Sequence, residues 1–222
     1  AARVIKIANS PMFRGNKAID NLKTATTRLG VRYTANFATG IAMKQMFQAT
    51  TNTIDNILRE TWNNSTTVAT YAHAFAQQRP NLHPDQASLA GLTHRIGVLP
   101  ILTYAEDNRK LLNNLGSLHA IIEAVHQDIG TKILQTWDFP PELVEVPKQY
   151  LNFSREATQA DYTDLVTVSV LQGFESPDHP YHTVRREDVQ AFGRLGLYVR
   201  DEDEEQNQMV EHIELAAVAF AD

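Results

Sequence analysis

Apolar side chains recur at helical spacing along most of this chain, and no segment shows the alternation typical of a half-buried strand. Two stretches carry the clearest stripes. From 52 to 78, one face is apolar or small and comprises Ile54, Ile57, Leu58, Thr61, Trp62, Ser65, Val68, Ala69, Ala72 and Phe75. From 117 to 137, the predicted inward stripe comprises Leu118, Ile121, Ile122, Val125, Ile129, Ile133 and Trp137. The pattern predicts an all-α fold.

Shorter helices are predicted on both sides of these stretches. Their approximate ranges are 1–8, 21–29 with Asp20 as its cap, 31–47, 84–99, 141–144, 159–172, 187–195 and 204–221. Pro84 suits the first turn of the central helix, which should end or kink at Gly97 and Pro100. We therefore expect about nine or ten helices and no significant sheet.

The helices are expected to form one domain over residues 1–222, with 151–222 as a C-terminal helical extension of looser patterning. A domain boundary near 153–159 is the alternative. The chain opens within what reads as the interior of a helix, so we expect further residues upstream.

Composition narrows the function classes. The formal net charge of −6 disfavours a general nucleic-acid surface, which needs clustered positive charge. The absence of cysteine excludes disulfides, thiolate metal sites and cysteine nucleophiles, and it is consistent with a cytoplasmic location. No apolar run approaches the roughly 20 residues of a membrane span, so no membrane association is expected.

The most informative segment, residues 89–97, reads Leu-Ala-Gly-Leu-Thr-His-Arg-Ile-Gly. His94 could serve as a metal ligand, but Arg95 beside it has no lone pair and stays protonated. A unit charge ~5 Å from a divalent ion costs about 7 kcal/mol at an effective dielectric of ~20. We therefore expect no metal, no cofactor and no catalytic residue here.

Each of these two residues has two interpretations. His94 is expected to be a satisfied core residue or a hydrogen-bonding hub, with a residual metal ligand as the alternative. Arg95 is expected to pair with a carboxylate at a helix interface, because a buried guanidinium must be paired. Binding of an anionic ligand is the alternative for Arg95.

Other titratable clusters are predicted to be ordinary surface. His119, Glu123 and His126 share one helix side and resemble a facial iron triad in type, but a solvated face is the preferred interpretation. Asp178, His179 and His182 are expected in an exposed loop. The acidic run 201–205 is expected to cap the last helix.

Three blocks of the sequence resemble the HDOD domain, a bacterial signalling-output relative of the HD metal-dependent phosphohydrolases. The first block is Ile7-Ala8-Asn9-Ser10-Pro11-Met12-Phe13, followed by Ala25 and Leu29-Gly30. The second joins Trp62-Asn63-Asn64-Ser65, Ala69 and Ala72 to the segment 90–97. The third is His126-Gln127-Asp128-Ile129-Gly130, then Leu134, Trp137 and Pro140. Together they cover roughly residues 1–150.

The resemblance implies where a metal centre would lie in catalytic relatives. The ligand positions fall at Asn64, at the doublet His94–Arg95 and near Val170, and of these only His94 is a metal ligand in kind. It implies a dismantled pocket that binds a ligand and includes Asn64, His94, Arg95 and Trp62, although Trp62 also falls on an apolar stripe.

Three functions remain open at this stage. The first is a non-catalytic signalling domain that binds a protein partner or a small ligand. The second is a metal-dependent phosphohydrolase or phosphodiesterase with a rearranged site. The third is a structural module for homo-oligomer assembly.

Overall fold

The computed structural model describes residues 2–9, 13, 17–31, 33–35, 38–39, 42, 49–172 and 176–197. Most of the helix predicted over 31–47, the acidic run at 201–205 and the helix predicted over 204–221 lie outside these residues. Within them the protein is all-helical and contains no strand, as the hydrophobic pattern predicts.

The helices are numbered here in chain order. They are α1 (Ala2–Ala8), α2 (Leu22–Leu29), α3 (Asn52–Gln77), α4 (Pro84–Thr93), α5 (Val98–Glu106), α6 (Arg109–Leu112), α7 (Leu115–Thr136), α8 (Pro141–Val144), α9 (Val146–Gln149), α10 (Tyr162–Val170) and α11 (Gln190–Arg194). A 3₁₀ turn, Arg186–Asp188, precedes α11. No described helix is both long and apolar enough to cross a membrane.

The centre of the fold is the pair α3 and α4. The side chain of Thr51 caps the start of α3 by accepting a hydrogen bond from the Ile54 backbone N–H. The C-terminal half of α3 is buried, and α4 lies directly against it. A Cβ at Gly91 would lie 2.4 Å from the Cα of Ala69, so only glycine permits this approach of the two backbones.

The central helix is shorter than predicted. It ends at Thr93, and residues 94–97 form a turn before α5 begins at Val98. Pro100 therefore does not kink a continuous helix, because it lies in the first turn of α5, where no intrahelical partner for its missing N–H is needed. This turn carries His94 and Arg95.

The inward face of α7 also differs from the prediction. The buried residues are Leu118, Ile122, His126, Gly130 and Leu134, whereas Ile121 and Val125 are each 38 % exposed. The contact face is set by the 94–97 turn and by Pro147, which approach α7 at Gly130. Apolar residues also lie on the neighbouring side of α7, so the hydrophobic pattern alone predicted an inward face that is rotated by about one residue position.

The segment after residue 152 shares a core with the first half of the chain. Leu165, Val166 and Val168 of α10 are fully buried against the core that contains Val68 and Phe75 of α3. The predicted helix over 159–172 is thus present as α10, and the one over 187–195 is divided into the 3₁₀ turn and α11. We propose on this basis that the chain forms a single domain.

Candidate functional site

A cavity of about 710 Å³ lies between the central helices and the C-terminal segment. Its walls come from α3, the 94–97 turn, α7, the residue after α9, the end of α10 and the loop at 179–181. A volume of this size is typical of small-molecule sites in proteins. We therefore take this cavity as the candidate functional site.

His94 lies in the cavity wall and is only 2 % exposed. Its Nδ1 is 2.7 Å from the Gly91 carbonyl oxygen, and because a carbonyl can only accept, Nδ1 carries the proton. Nε2 is then an unprotonated acceptor. Burial lowers the pKa of His94 to about 3, and the nearby Arg95 charge acts in the same direction. His94 is thus a neutral imidazole at physiological pH.

Arg95 lies in the same wall, where its charge is paired. Its Nη2 donates to Glu123 Oε1 at 2.7 Å, and its Nη1 donates to the Tyr150 hydroxyl at 3.4 Å. Burial acts to lower the pKa of Arg95, but Tyr150 and Glu123 outweigh it and the net direction is upward. The expected pairing of Arg95 with a carboxylate at a helix interface is therefore present, and Glu123 is that carboxylate.

Tyr150 connects Arg95 to a second buried histidine. The Tyr150 hydroxyl donates to His126 Nε2 at 3.0 Å, while His126 Nδ1 donates to the Ile122 carbonyl at 2.8 Å. The His94 ring meets the Tyr150 ring edge-on at a centroid distance of 4.9 Å. Burial and the Arg95 charge lower the pKa of His126, so this imidazole is also held neutral.

The solvated face predicted for His119, Glu123 and His126 is wrong for His126, which is fully buried. Burial follows from the shifted inner face of α7, which presents His126 to Tyr150. His119 is exposed, and Glu123 reaches the cavity instead. The three side chains therefore do not converge on one point.

The structure brings most of the residues singled out from the sequence to this cavity. Asn64, His94, Arg95 and Val170 all line it. Trp62 does not; it is half-buried against the cluster formed by α1 and α2. His179 lies in the cavity wall rather than in an ordinary exposed loop, whereas Asp178 and His182 are exposed.

Sequence reasoning missed three tyrosines that line the cavity: Tyr71, Tyr150 and Tyr181. Tyr71 lies among the apolar positions of α3 and looks like core in the sequence. Tyr150 and Tyr181 come from a helix end and a loop, where no periodic pattern marks a residue as part of a site. Only the fold places them in the same cavity as His94.

The residues at the implied metal positions do not fit a divalent ion. Asn64, His94, Arg95 and Val170 offer one imidazole, one amide, one guanidinium and one aliphatic side chain. A catalytic divalent ion needs several oxygen or nitrogen ligands and an open position, and the Arg95 charge repels it. Across the described ranges, no group of three or more His, Cys, Asp or Glu is placed to hold a metal.

These features define an all-helical domain, within the described residues, with a cavity of mixed apolar and polar lining at the His94–Arg95 turn. The chain belongs to the HDOD domain family, whose match covers residues 1–152. This confirms the resemblance found in the sequence and the fold that it implied. No curated protein matches the chain.

Solved structures agree with this assignment. A protein from Shewanella amazonensis SB2B, named "Putative metal-dependent phosphohydrolase", is 27 % identical, with a TM-score of 0.81 over 99 % of this chain and 79 % of that one. An HDOD domain protein of unknown function from Geobacter sulfurreducens is 16 % identical, with a TM-score of 0.64 over 99 % of this chain and 79 % of that one. The second similarity is one of fold alone.

The buried histidines make stability depend on pH. Burial lowers the pKa of His73 to about 4 and that of His94 to about 3. Between those values and ~6.5 the unfolded chain binds protons that the folded chain does not, so stability falls as pH falls. From pH 7 to pH 5.5 we expect a loss of about 2 kcal/mol from the two residues together, measured by urea unfolding.

A matched pair of variants checks the origin of this loss. His94→Phe should remove about half of the decline between pH 7 and pH 5.5, because His73 still contributes the rest. His119→Phe, at an exposed position of α7, should leave the decline as in the wild type. A wild-type free energy of unfolding that stays constant over this interval would contradict the prediction.

Proposed function

We propose that this protein is a non-catalytic signalling domain of the cytoplasm, which binds a small ligand or a protein partner at the cavity around His94 and Arg95. One observation carries the proposal. The Arg95 guanidinium lies in the cavity wall, held by Glu123 and Tyr150, at a position where catalytic relatives are implied to place a metal-binding carboxylate. A paired cation at that point supports recognition by hydrogen bonds rather than metal-assisted hydrolysis.

The construction of the cavity suits a signalling role. Its walls come from segments as distant in sequence as α3 and the loop at 179–181. A bound ligand would contact several of these segments at once, so binding would favour one relative arrangement of them over others. A partner protein that binds at the surface would then recognise that arrangement.

A metal-dependent phosphohydrolase is the second candidate, favoured by the name of the Shewanella amazonensis protein. For this chain it would require a ligand set other than Asn64, His94, Arg95 and Val170. The two candidates differ in a directly measurable way, because hydrolysis needs bound metal and turnover, while recognition needs neither.

The test combines metal analysis with activity assays on the purified chain. We expect well below one equivalent of Mn²⁺ or Mg²⁺ after equilibration and gel filtration, and no hydrolysis of nucleotide or cyclic-dinucleotide substrates above a heat-inactivated sample. A metal-dependent phosphatase assayed in parallel controls for substrate quality. Stoichiometric metal, or turnover that His94→Ala abolishes, would replace this proposal with the hydrolase.

A further inference from the structure

His94 presents an acceptor to the cavity that the protein itself does not use. Nδ1 is engaged with Gly91, and no residue of the described chain donates a hydrogen bond to Nε2. The imidazole is 2 % exposed and its side chain lines the cavity. The atom is open to the cavity, so a ligand that brings an N–H or O–H group there can donate a hydrogen bond to Nε2 that no side chain of the described residues makes.

Arg95, the next residue, presents hydrogen-bond donors to the same cavity. A guanidinium has five N–H donors, and the hydrogen bonds of Arg95 to Glu123 and Tyr150 use one on each terminal nitrogen. Arg95 is 22 % exposed and lines the same cavity. It can therefore donate to a carbonyl oxygen of a ligand while it keeps its partners.

The charges of the lining residues set the charge of the ligand. Apart from the histidines, Arg95 and Glu123 are the described lining residues that carry a formal charge, and they form an ion pair at 2.7 Å. An anion would compete with Glu123 for Arg95, and a cation would be repelled by Arg95. The pair favours an uncharged ligand, because neither partner then loses its counter-charge.

The shape of the lining favours a flat ligand. Tyr71, Tyr150 and Tyr181 line the cavity together with Val68 and Val170. Aromatic side chains of this kind bury planar rings well and can stack on them or meet them edge-on. The cavity volume of about 710 Å³ accommodates a two-ring heterocycle that carries a further substituent.

We propose that the cavity binds an uncharged planar lactam, a ring in which an N–H adjoins a carbonyl group. The N–H donates to His94 Nε2, and the carbonyl oxygen accepts from Arg95. This inference rests on the proposed binding function and narrows it to one ligand chemistry. Oxopurine and oxopyrimidine nucleosides are the accessible members of this class.

Isothermal titration with inosine and 1-methylinosine tests the proposal on the wild-type chain. The two probes differ by one methyl group, which replaces the hydrogen on the lactam nitrogen and so removes the donor. We expect inosine to bind and 1-methylinosine to bind at least roughly tenfold more weakly, because the His94 acceptor is then left unpaired. Inosine 5′-monophosphate, with its added negative charge, should bind no more tightly than inosine.

Variants assign the contact to its residue. His94→Phe keeps an aromatic ring against Tyr150 and should abolish the preference for inosine over 1-methylinosine. His119→Phe, on the exposed side of α7, should retain it. Circular dichroism of each variant verifies folding, and the comparison of the two probes on the wild type needs no variant at all.

Each outcome is decisive. Absence of inosine binding, equal binding of the two probes or tighter binding of the monophosphate overturns the lactam inference. If a probe of another class binds in a manner that depends on His94, the binding function stands and only the lactam is lost. Metal-dependent hydrolysis of any probe would instead remove the proposed function itself.

Discussion

Replacement of Asp164 by alanine is expected to lower the free energy of unfolding by about 3 to 5 kcal/mol. Asp164 is 1 % exposed, and its carboxylate accepts hydrogen bonds from Arg155 Nη2 at 2.7 Å and from Arg194 Nε and Nη2 at 2.9 and 2.7 Å. Burial acts to raise the pKa of Asp164, but the two guanidinium groups outweigh it and lower the pKa overall. The carboxylate is therefore ionised at neutral pH.

The large expected cost arises because the substitution leaves two mostly buried guanidinium groups without the carboxylate that they share. Arg155 and Arg194 are only 16 % and 14 % exposed, and without Asp164 both lose their most buried counter-charge. Asp161 still pairs with Arg155 at 2.7 Å, so Arg194 loses more of its charge pairing than Arg155 does. Because these bonds join α10 to α11 and to the segment before α10, we expect the C-terminal part of the cavity wall to loosen as well.

The measurement is urea unfolding at pH 7, with Asp128→Ala as the matched control. Asp128 is 75 % exposed, and its ion pair with Lys148 spans 3.4 Å, so its loss should cost less than about 1 kcal/mol. Asp164→Asn should lie between the two, because it keeps the shape and removes the charge. A cost below about 1 kcal/mol for Asp164→Ala would show that the arginines find other partners at little expense.

Gly97→Ala is expected to destabilise the protein by about 3 kcal/mol or more. A Cβ at residue 97 would lie 2.0 Å from the carbonyl oxygen of His126 and 2.6 Å from the backbone nitrogen of Gly130. Both atoms belong to the backbone of α7, which cannot move aside as a flexible side chain can. The φ of Gly97 is −66°, open to any residue, so the requirement for glycine is one of contact alone.

The consequence for the cavity is as important as the loss of stability. Gly97 ends the turn that carries His94 and Arg95, and the clash would push this turn away from α7. The Arg95 bonds to Glu123 and Tyr150 cross the same interface. We therefore expect Gly97→Ala to weaken ligand binding even at temperatures where the variant remains folded.

Gly116→Ala is the control of identical chemistry. Outside its own helix backbone, the described residues bring one atom near a Cβ at residue 116, Asn114 Oδ1 at 3.6 Å, which is an ordinary contact. Gly116 lies in the first turn of α7. Alanine is the better helix former, so this variant should be neutral or slightly stabilising in thermal and urea unfolding. If the two variants are equally stable, the close contact at Gly97 is not what holds the turn against α7.

Much of the fold could be predicted from periodicity because helix formation is local. The bounds of α3 were predicted to within a residue or two, and Pro84 was correctly predicted to lie in the first turn of α4, since apolar spacing and a proline mark these features directly. The end of α4 at Thr93 was not predicted, because Leu92, Ile96 and Leu99 keep helical spacing through the turn. Spacing cannot show that the backbone changes direction between them.

For the candidate site, too, residue types could be interpreted from the sequence, whereas contacts between distant segments could not. That a histidine is followed by an arginine, with no cysteine in the chain, is a matter of residue type, and it already opposes an ordinary metal site. Whether Arg95 meets a carboxylate, and which one, depends on the distance between the 94–97 turn and α7. His126 shows the limit most clearly, because its neighbours on the helix suggest solvent and its partner Tyr150 comes from 24 residues further along.

By itself, the sequence determined the helical class, the positions of the long helices and the chemical types at the centre of the chain, because these depend on neighbours within a few turns. Only the tertiary structure decided which side of α7 is buried, that Tyr150 joins Arg95 to His126, and that His94 is left with an unused acceptor facing a cavity. Those features arise from contacts between segments far apart in the chain, whose geometry is set by packing and by the glycines that let backbones approach.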